Sequence, residues 1–387
     1  MSGSRQNNKE AYVFAGGGTA GHVNPALAIA VAVKAKRPSC EIHFAVTPEG
    51  LEKTMLEKEP WPTFQITASA LPSGFRTFPR FFLRTLRGIR EAAAQLKKIR
   101  PRAVVGTGGY VCAPLIVAAK LLNIPILLHE QNAYPGRANR LLSRLADCIC
   151  LSFKGSEKFF PDGVKGRTRI CGNPVKRAFF ETSSAEARAE LGLDAETELC
   201  VVLGGSLGAR RLNEAVEALA ENSNWQALCS RHPKLLLCLS GGSVNKCFLH
   251  GSVDEQARIR VADYLDTRLW MPAADLLIGR AGAGFLMETA ASGKASILIP
   301  FPQAANDHQR RNAQVFVESG ASLLLEDSEV NAESLSRLIA QLMDDEEKRR
   351  KMAAAALELA CPQAAEDIAA AVLELATRGN KGKEARS

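Results

Sequence analysis

Short apolar runs alternate with stretches of helical spacing from one end of the chain to the other. Ala11–Ala15, Glu41–Val46, Ala103–Gly106, Ile124–Leu128 and Asp147–Ser152 read as strands, with helical patterns such as Ala26–Lys36 and Val111–Leu122 between them. A polar, glycine-bearing stretch, Pro161–Pro174, reads as a linker. Beyond it a second series begins, with strands at Leu199–Leu203, Leu235–Leu239, Arg258–Val261, Asp275–Ile278 and Ala295–Ile299. The repeated β-α-β order predicts an α/β chain with parallel sheets covered by helices on both faces. Each half opens with a strand that runs into glycines, AYVFAGGG and ELCVVLGGS, so the pattern predicts two Rossmann-like domains facing one another. Doubly wound sheets bind ligands at the carboxyl ends of their strands, which makes the cleft between the domains the expected site. The tail from Arg378 onward is polar and reads as frayed.

Composition supports this picture. With 387 residues, 46% of them hydrophobic and 23% charged, the chain reads as globular and too long for a single core. The first ten residues, MSGSRQNNKE, do not form a secretory signal. The longest apolar stretch, Val111–Leu128, is broken by Pro114, Lys120, Asn123 and Pro125 and does not make a clean membrane span, so a soluble protein is expected. Ten cysteines without a CxxC pair point to reduced thiols in a cytosolic chain. Cys148 and Cys150 share a strand face but have no histidine nearby to complete a zinc site.

Charge is localised. The net charge is +8, and the segment from Leu71 to Arg102 carries nine basic residues (Arg76, Arg80, Arg84, Arg87, Arg90, Lys97, Lys98, Arg100 and Arg102) against the single acid Glu91. The remainder is balanced, which disfavours a nucleic-acid coat.

Three glycine loops follow strands and precede helices, where backbone N–H groups and a positive helix end suit an anion. The first, Gly16 to His22, contains GxGxxG at Gly16, Gly18 and Gly21. An NAD-type oxidoreductase wants an acid at the end of the second strand, which here ends in Thr47. His22, at the helix entrance, is a candidate proton acceptor. The second loop, Gly204 to Ala209, places Ser206 in GxSxG, which an α/β-hydrolase would complete with Asp275 and His308. The simpler reading makes Ser206 a helix N-cap that receives phosphate. The third, Gly279 to Gly284, leads into a helix carrying Glu288 about a turn in, a place suited to a carboxylate that accepts bonds from a ribose diol. Three such loops suggest a bound nucleotide diphosphate. No Asp-x-Asp tripeptide occurs, so a metal-chelated diphosphate lacks obvious ligands, and neither metal nor cofactor is expected.

Seven blocks in order, spanning about 300 residues, carry a specific resemblance: GGGTAGHVNPALAIA, GTGGYVCAP, HEQNAYPGRANR, GNPVK, GGSLGA, RAGAG and NDHQRRNA. They resemble the MurG family of glycosyltransferases. The resemblance implies a GT-B fold, with an acceptor- and membrane-associating domain over residues 1–170, a UDP-sugar domain over 171–360, and a helix in 361–387 that crosses back to the first domain. It implies inverting, metal-independent transfer of N-acetylglucosamine from UDP-N-acetylglucosamine to undecaprenyl-diphosphate-linked N-acetylmuramoyl-pentapeptide in peptidoglycan synthesis, at the cytoplasmic face of the cell membrane.

Carried over by motif, Thr19, Ala20, Gly21 and Asn132 lie at the donor sugar and Ser206 at the diphosphate. Uridine falls to Leu265 and to Ala283, Gly284, Phe285, Leu286 and Met287, the ribose to Glu288, and the sugar also to His308 and Gln309. His22 is the expected general base and Glu130 the reserve. Two positions depart from the family pattern. Lys176, a donor-side residue, stands where arginine is usual and lacks its bidentate fork. Ala283-Gly284-Phe285 replaces bulky and hydroxyl residues, leaving backbone contacts. In the basic segment, helical spacing sets Arg80, Arg84 and Arg87 on one face and Phe78, Phe82, Leu86 and Ile89 on the other, which together with Phe75 suits an anionic membrane surface.

Overall fold

The computed structural model describes residues 9–70, 77–205, 208–242, 253–254 and 257–384. Phe75 and Ser206 lie outside the described residues. The chain divides into two compact units, residues 1–174 with 363–387, and residues 175–362.

The strands of the first unit are β1 (Ala11–Ala15), β2 (Glu41–Val46), β3 (Thr63–Gln65), β4 (Ala103–Gly106), β5 (Ile126–Glu130), β6 (Cys148–Leu151) and β7 (Thr168–Ile170). All pair in parallel, in the order β3-β2-β1-β4-β5-β6-β7. The helices are α1 (Ala20–Lys36), α2 (Leu51–Leu56), α3 (Phe78–Ile99), α4 (Cys112–Leu121) and α5 (Arg137–Leu142). Both sheet faces are buried. Val13, Val104 and Leu128 pack with Leu115, Ile116 and Leu96 on one side, while Phe14, Phe44 and Leu127 pack with Ile29 and Val33 on the other. Each such side chain withdrawn from water stabilises the fold by about 1.5–3 kcal/mol.

The second unit holds helices α6 (Ala178–Glu181), α7 (Ser184–Glu190), α8 (Arg210–Glu217), α9 (Ser223–Arg231), α10 (Thr267–Ala273), α11 (Ala283–Ser292), α12 (His308–Glu318), α13 (Ala332–Met343) and α14 (Glu346–Glu358). Its strands are β8 (Glu198–Leu203), β9 (Leu235–Ser240), β10 (Val253–Asp254), β11 (Ile259–Ala262), β12 (Leu276–Gly279), β13 (Ala295–Leu298) and β14 (Ser322–Leu324), ordered β10-β11-β9-β8-β12-β13-β14. Only the β10–β11 pair is antiparallel among the described strands. The final helix, α15 (Ala364–Glu384), belongs to the first unit. Its Ile368, Ala369, Val372 and Ala376 join Cys148, Cys150 and Ile29 in one buried cluster, and its Glu374 pairs with Arg169 at 2.8 Å.

Several elements depart from the sequence pattern. The stretch read as a linker carries β7, which pairs with β6, so its residues complete the first sheet before the boundary after Pro174. Strand β5 begins later than expected, after a left-handed Asn123 (φ 53°), and runs on through His129 and Glu130, which are buried although polar. Helix α1 starts at Ala20, six residues before the expected position, inside the glycine loop.

Candidate active site

Strands β1 and β4 lie side by side with Ala15 level with Gly106, so the glycine loops at their carboxyl ends meet. The Gly17 N–H donates to the Gly108 carbonyl at 3.3 Å. Thr107 Oγ1 donates to the carbonyls of Ala15 at 3.3 Å and His22 at 2.6 Å. Thr19 Oγ1 and His22 Nδ1 are 3.0 Å apart. The imidazole edge lies over Gly108, whose backbone takes the left-handed φ of +107° that glycine tolerates.

Sequence reasoning missed Glu52, in the first turn of α2. Its side chain is fully buried. Oε2 accepts from the Gly18 N–H at 3.2 Å, and Oε1 accepts from the Thr47 N–H at 3.1 Å and the Thr47 hydroxyl at 2.5 Å. A β-carbon on Gly17 would come within 2.9 Å of this carboxyl group. An internal anion therefore takes an amide that the loop was expected to offer a ligand. The acid sought at the end of the second strand exists five residues past Thr47, but it is spent on the loop. This disfavours the dinucleotide reading.

Glu130, at the end of β5, is also buried. Its Oε1 accepts from the Asn132 N–H and Nδ2, and its Oε2 from the Gly136 N–H and Asn139 Nδ2, all at 3.0 Å. Burial pushes its carboxyl above the usual range, and these hydrogen bonds oppose that rise. The four donors fix the loop from Asn132 to Gly136. Asn139 also reaches the His129 carbonyl at 2.9 Å, and Gln131 Nε2 donates to the Thr107 carbonyl, tying this loop to the glycine loops. Burial pulls the His129 pKa down to about 4, so that ring is neutral at pH 7. Thr19, Ala20, Gly21, His22, Glu130 and Asn132 thus all belong to one polar apparatus in the first unit.

The other residues expected at the donor belong to the second unit. In the loop after β8, the Gly208 N–H donates to the Gly205 carbonyl at 3.0 Å, and α8 begins at Arg210 with Ala209 in the N-cap position. The N-cap of α8 is thus Ala209, and Ser206 itself lies outside the described residues. In α11, Ala283, Leu286 and Met287 are buried and Gly284 and Phe285 half-buried, so the three buried side chains serve the core. Glu288 is the sixth residue of α11, deeper than expected, and burial outweighs the helix dipole, pushing its carboxyl up to about 7. The field of exposed Lys176 opposes that rise, and the Asp266 carboxyl is lowered chiefly by Arg268, which donates to it, with a smaller contribution from Lys176. Leu265 is buried beside Tyr264, an aromatic 74% exposed that the sequence reading did not single out.

Gln309 sits in the first turn of α12, behind two successive left-handed residues, Asn306 (φ 56°) and Asp307 (φ 54°). Such backbone costs of order 1–3 kcal/mol per residue and persists where surroundings hold it. Gln309 Oε1 accepts from the Phe301 N–H at 2.9 Å, which directs the amide Nε2 donors elsewhere. His308 Nδ1 lies 2.7 Å from the Ala305 carbonyl. Arg280 braces the same loop: it pairs with Asp327 at 2.6 Å, reaches the Ile299 and Pro300 carbonyls at 3.3 Å each, and lies 5.5 Å from the Phe301 ring.

The hydrolase triad does not assemble. Asp275 precedes β12 and accepts from the Leu199 N–H at 2.7 Å and from Arg188 Nη2 at 2.8 Å. That is the amino end of β8, whereas the GxSxG loop leaves its carboxyl end, roughly 13 Å away for four strand residues. Among the described residues, no group of three or more His, Cys, Asp and Glu is placed to hold a metal ion.

On α3 the two expected faces are redrawn. Gly88, Ala92 and Leu96 face the core, Ile89 packs beside them and Leu86 is half-buried, while Phe78, Phe82 and Leu83 stand exposed beside Arg80, Arg84 and Arg87. Leu83, at 66% exposure, replaces Leu86 and Ile89 in the outward patch. No helix among the described residues is long and apolar enough to cross a membrane.

Comparison with known proteins places the chain. Residues 12–151 match the glycosyltransferase family 28 N-terminal domain, and residues 199–369 match the glycosyltransferase family 28 C-terminal domain. The UDP-N-acetylglucosamine--N-acetylmuramyl-(pentapeptide) pyrophosphoryl-undecaprenol N-acetylglucosamine transferase of Moorella thermoacetica is 36% identical over 376 residues, 95% of this chain and 99% of that one. The transferase of the same name from Carboxydothermus hydrogenoformans is 39% identical over 348 residues, 88% of this chain and 91% of that one. The crystal structure of Acinetobacter baumannii MurG superposes with a TM-score of 0.72 at 28% identity, covering 95% of this chain and 99% of that one. The kitacinnamycin glycotransferase, only 16% identical, shares the fold with a TM-score of 0.69 and coverage of 95% and 99%. Two parallel sheets ending in glycine loops, both family 28 domains and relatives of this identity along nearly the whole chain lead to one conclusion: the protein belongs to the MurG family of GT-B glycosyltransferases.

Proposed function

We propose that the protein transfers N-acetylglucosamine from UDP-N-acetylglucosamine to the muramoyl C4 hydroxyl of undecaprenyl-diphosphate-linked N-acetylmuramoyl-pentapeptide, with inversion, in peptidoglycan synthesis. The observation that carries this reading is the apparatus of His22, Thr19, Gly108 and the Glu130-held loop, in a chain whose relatives bear the name of that transferase. In the transfer step the acceptor oxygen bonds to the anomeric carbon from the face opposite UDP. His22 takes the hydroxyl proton, the bond from that carbon to the diphosphate oxygen breaks, and its electron pair leaves with UDP. His22 is preferred to Glu130 as the base because four donors already occupy the Glu130 oxygens.

The loop amides after β8, with Ser206, receive the diphosphate and stabilise the charge that develops there. Leu265 and the first turn of α11 take uridine through the backbone, Glu288 takes the ribose hydroxyls, and the Gln309 amide, with His308 beside it, donates to the sugar. Thr19, Ala20, Gly21 and Asn132 line the sugar from the first unit, and Lys176 adds positive charge on the donor side. Arg80, Arg84 and Arg87, with Phe78, Phe82, Leu83 and neighbouring Phe75, attach the enzyme peripherally to the anionic cytoplasmic face of the cell membrane.

Two measurements test the reading. UDP-N-acetylglucosamine should raise the melting temperature where NAD and acyl esters do not, since 100-fold excess over Kd adds about 2.7 kcal/mol. His22→Ala should lower kcat by roughly 10²-fold or more with donor binding intact. Stabilisation by NAD alone, or an unchanged kcat, overturns the corresponding part.

A further inference from the structure

Burying a carboxylate is expensive, and one held only by neutral donors is retained where its geometry is used. Glu52 is such a group. Its three donors are two backbone N–H groups and a hydroxyl, and it sits directly beneath the loop that carries Thr19 and His22. We propose that Glu52 is a positioning residue for the transfer step, its carboxylate serving as the built-in anion of the first glycine loop.

By accepting the Gly18 N–H, Glu52 fixes the peptide that leads into Thr19, and Thr19 Oγ1 in turn meets His22 Nδ1. With Nδ1–H donated to that hydroxyl, the ring's lone pair lies on Nε2, on the edge that passes over Gly108. The carboxylate therefore holds the Thr19 hydroxyl against Nδ1, and in the tautomer protonated at Nδ1 it leaves Nε2 as the proton acceptor, without touching substrate. A glutamine of the same length cannot reproduce this, because its single oxygen serves either Gly18 or Thr47, and its NH₂ then confronts the other donor.

The inference rests on His22 as base, and the test separates the two. In full-length Glu52→Gln, kcat should fall roughly 10- to 100-fold with donor KM unchanged. The ¹⁵N signals of His22, assigned by their loss in His22→Ala, should shift as the Thr19 hydroxyl leaves Nδ1. Thr47→Val, which removes one donor and keeps the carboxylate, should shift both readouts in the same direction by less, and it carries the test if Glu52→Gln does not fold. Unchanged His22 signals overturn the proposal, even if activity and melting temperature fall together, since that pattern marks a merely structural acid. Shifted signals combined with full activity in His22→Ala would keep the positioning contact and overturn His22 as base.

Discussion

The imidazole of His22 rests on the bare α-carbon of Gly108. A β-carbon at 108 would stand 2.6 Å from His22 Cδ2 and 3.0 Å from Nε2, and the backbone there has a φ of +107°. Gly108→Ala must displace the ring or strain the loop, so kcat should fall by about 10²-fold while UDP affinity holds, because the residues proposed for uridine and diphosphate belong to the other unit. Steady-state kinetics and calorimetry check this. Combined with His22→Ala it should cost little more, and fully additive losses would separate the two residues.

Glu288, proposed to hold the ribose, also bears on stability. Its carboxyl is raised from 4.5 to about 7 by burial, so the folded state resists its ionisation. The cost is absent below pH 4.5, grows between 4.5 and 7, and is complete above 7. Glu288→Gln should therefore melt at a higher temperature than the parent at pH 8, with the gap shrinking toward pH 5. It should also bind UDP more weakly, by about 1.5–3 kcal/mol for a bond to a charged partner. A gap that widens on acidification reverses the sign and refutes the argument.

Arg280 and Asp327 form a largely buried pair beneath the loop that leads to Gln309. Asp327→Ala leaves the guanidinium without its partner and should cost about 3 kcal/mol of stability. Donor KM should rise several-fold as the left-handed turn at Asn306 and Asp307 relaxes. Arg280→Met with Asp327→Leu should recover stability but not donor KM; recovery of both would show that the pair does not hold the loop.

The outward patch on α3 offers the proposed membrane contact both charge and apolar side chains. Charge reversal of Arg80, Arg84 and Arg87 to Glu should abolish sedimentation with anionic vesicles, since each basic residue near such a surface contributes about 1 kcal/mol. Phe82→Ser with Leu83→Ser should weaken attachment at high and low salt alike. UDP binding should survive in both, with turnover falling on membrane-embedded acceptor and much less on a short-chain soluble analogue. Salt-sensitive sedimentation of the triple reversal would move the attachment site elsewhere.

The alternation of apolar runs was enough to read the architecture, because interior parallel strands are continuously hydrophobic, and Ala11–Ala15 and Glu41–Val46 match the observed strands at both ends. Thr63–Gln65 and Val253–Asp254 escaped because two or three residues carry no period. His22 and the glycine loops were legible because they are contiguous in sequence. Glu52 was not: its partner Gly18 lies 34 residues away, and in sequence an acid in a short helix looks like any first-turn glutamate. Glu130 was noticed as an acid but not as the hub of four donors, since those come from a turn that closes only in three dimensions. Leu83 was overlooked for a related reason. Periodicity reveals that a helix has two faces, whereas which of them meets the core depends on the neighbouring α4.

Helix α15 gives the chain an unusual order of assembly. By the time synthesis reaches Pro362, every strand of both sheets exists, yet the surface formed by Ile29, Cys148 and Cys150 still lacks Ile368, Val372 and Ala376. The first unit to emerge is thus among the last to be finished, and its closing contacts span more than 200 residues of sequence, a slow class of contact to form. Until the turns of α15 from Ile368 to Ala376 arrive, the nascent protein displays a sticky apolar face, so a chain cut before Ile368 should aggregate where one cut after Ala376 should fold.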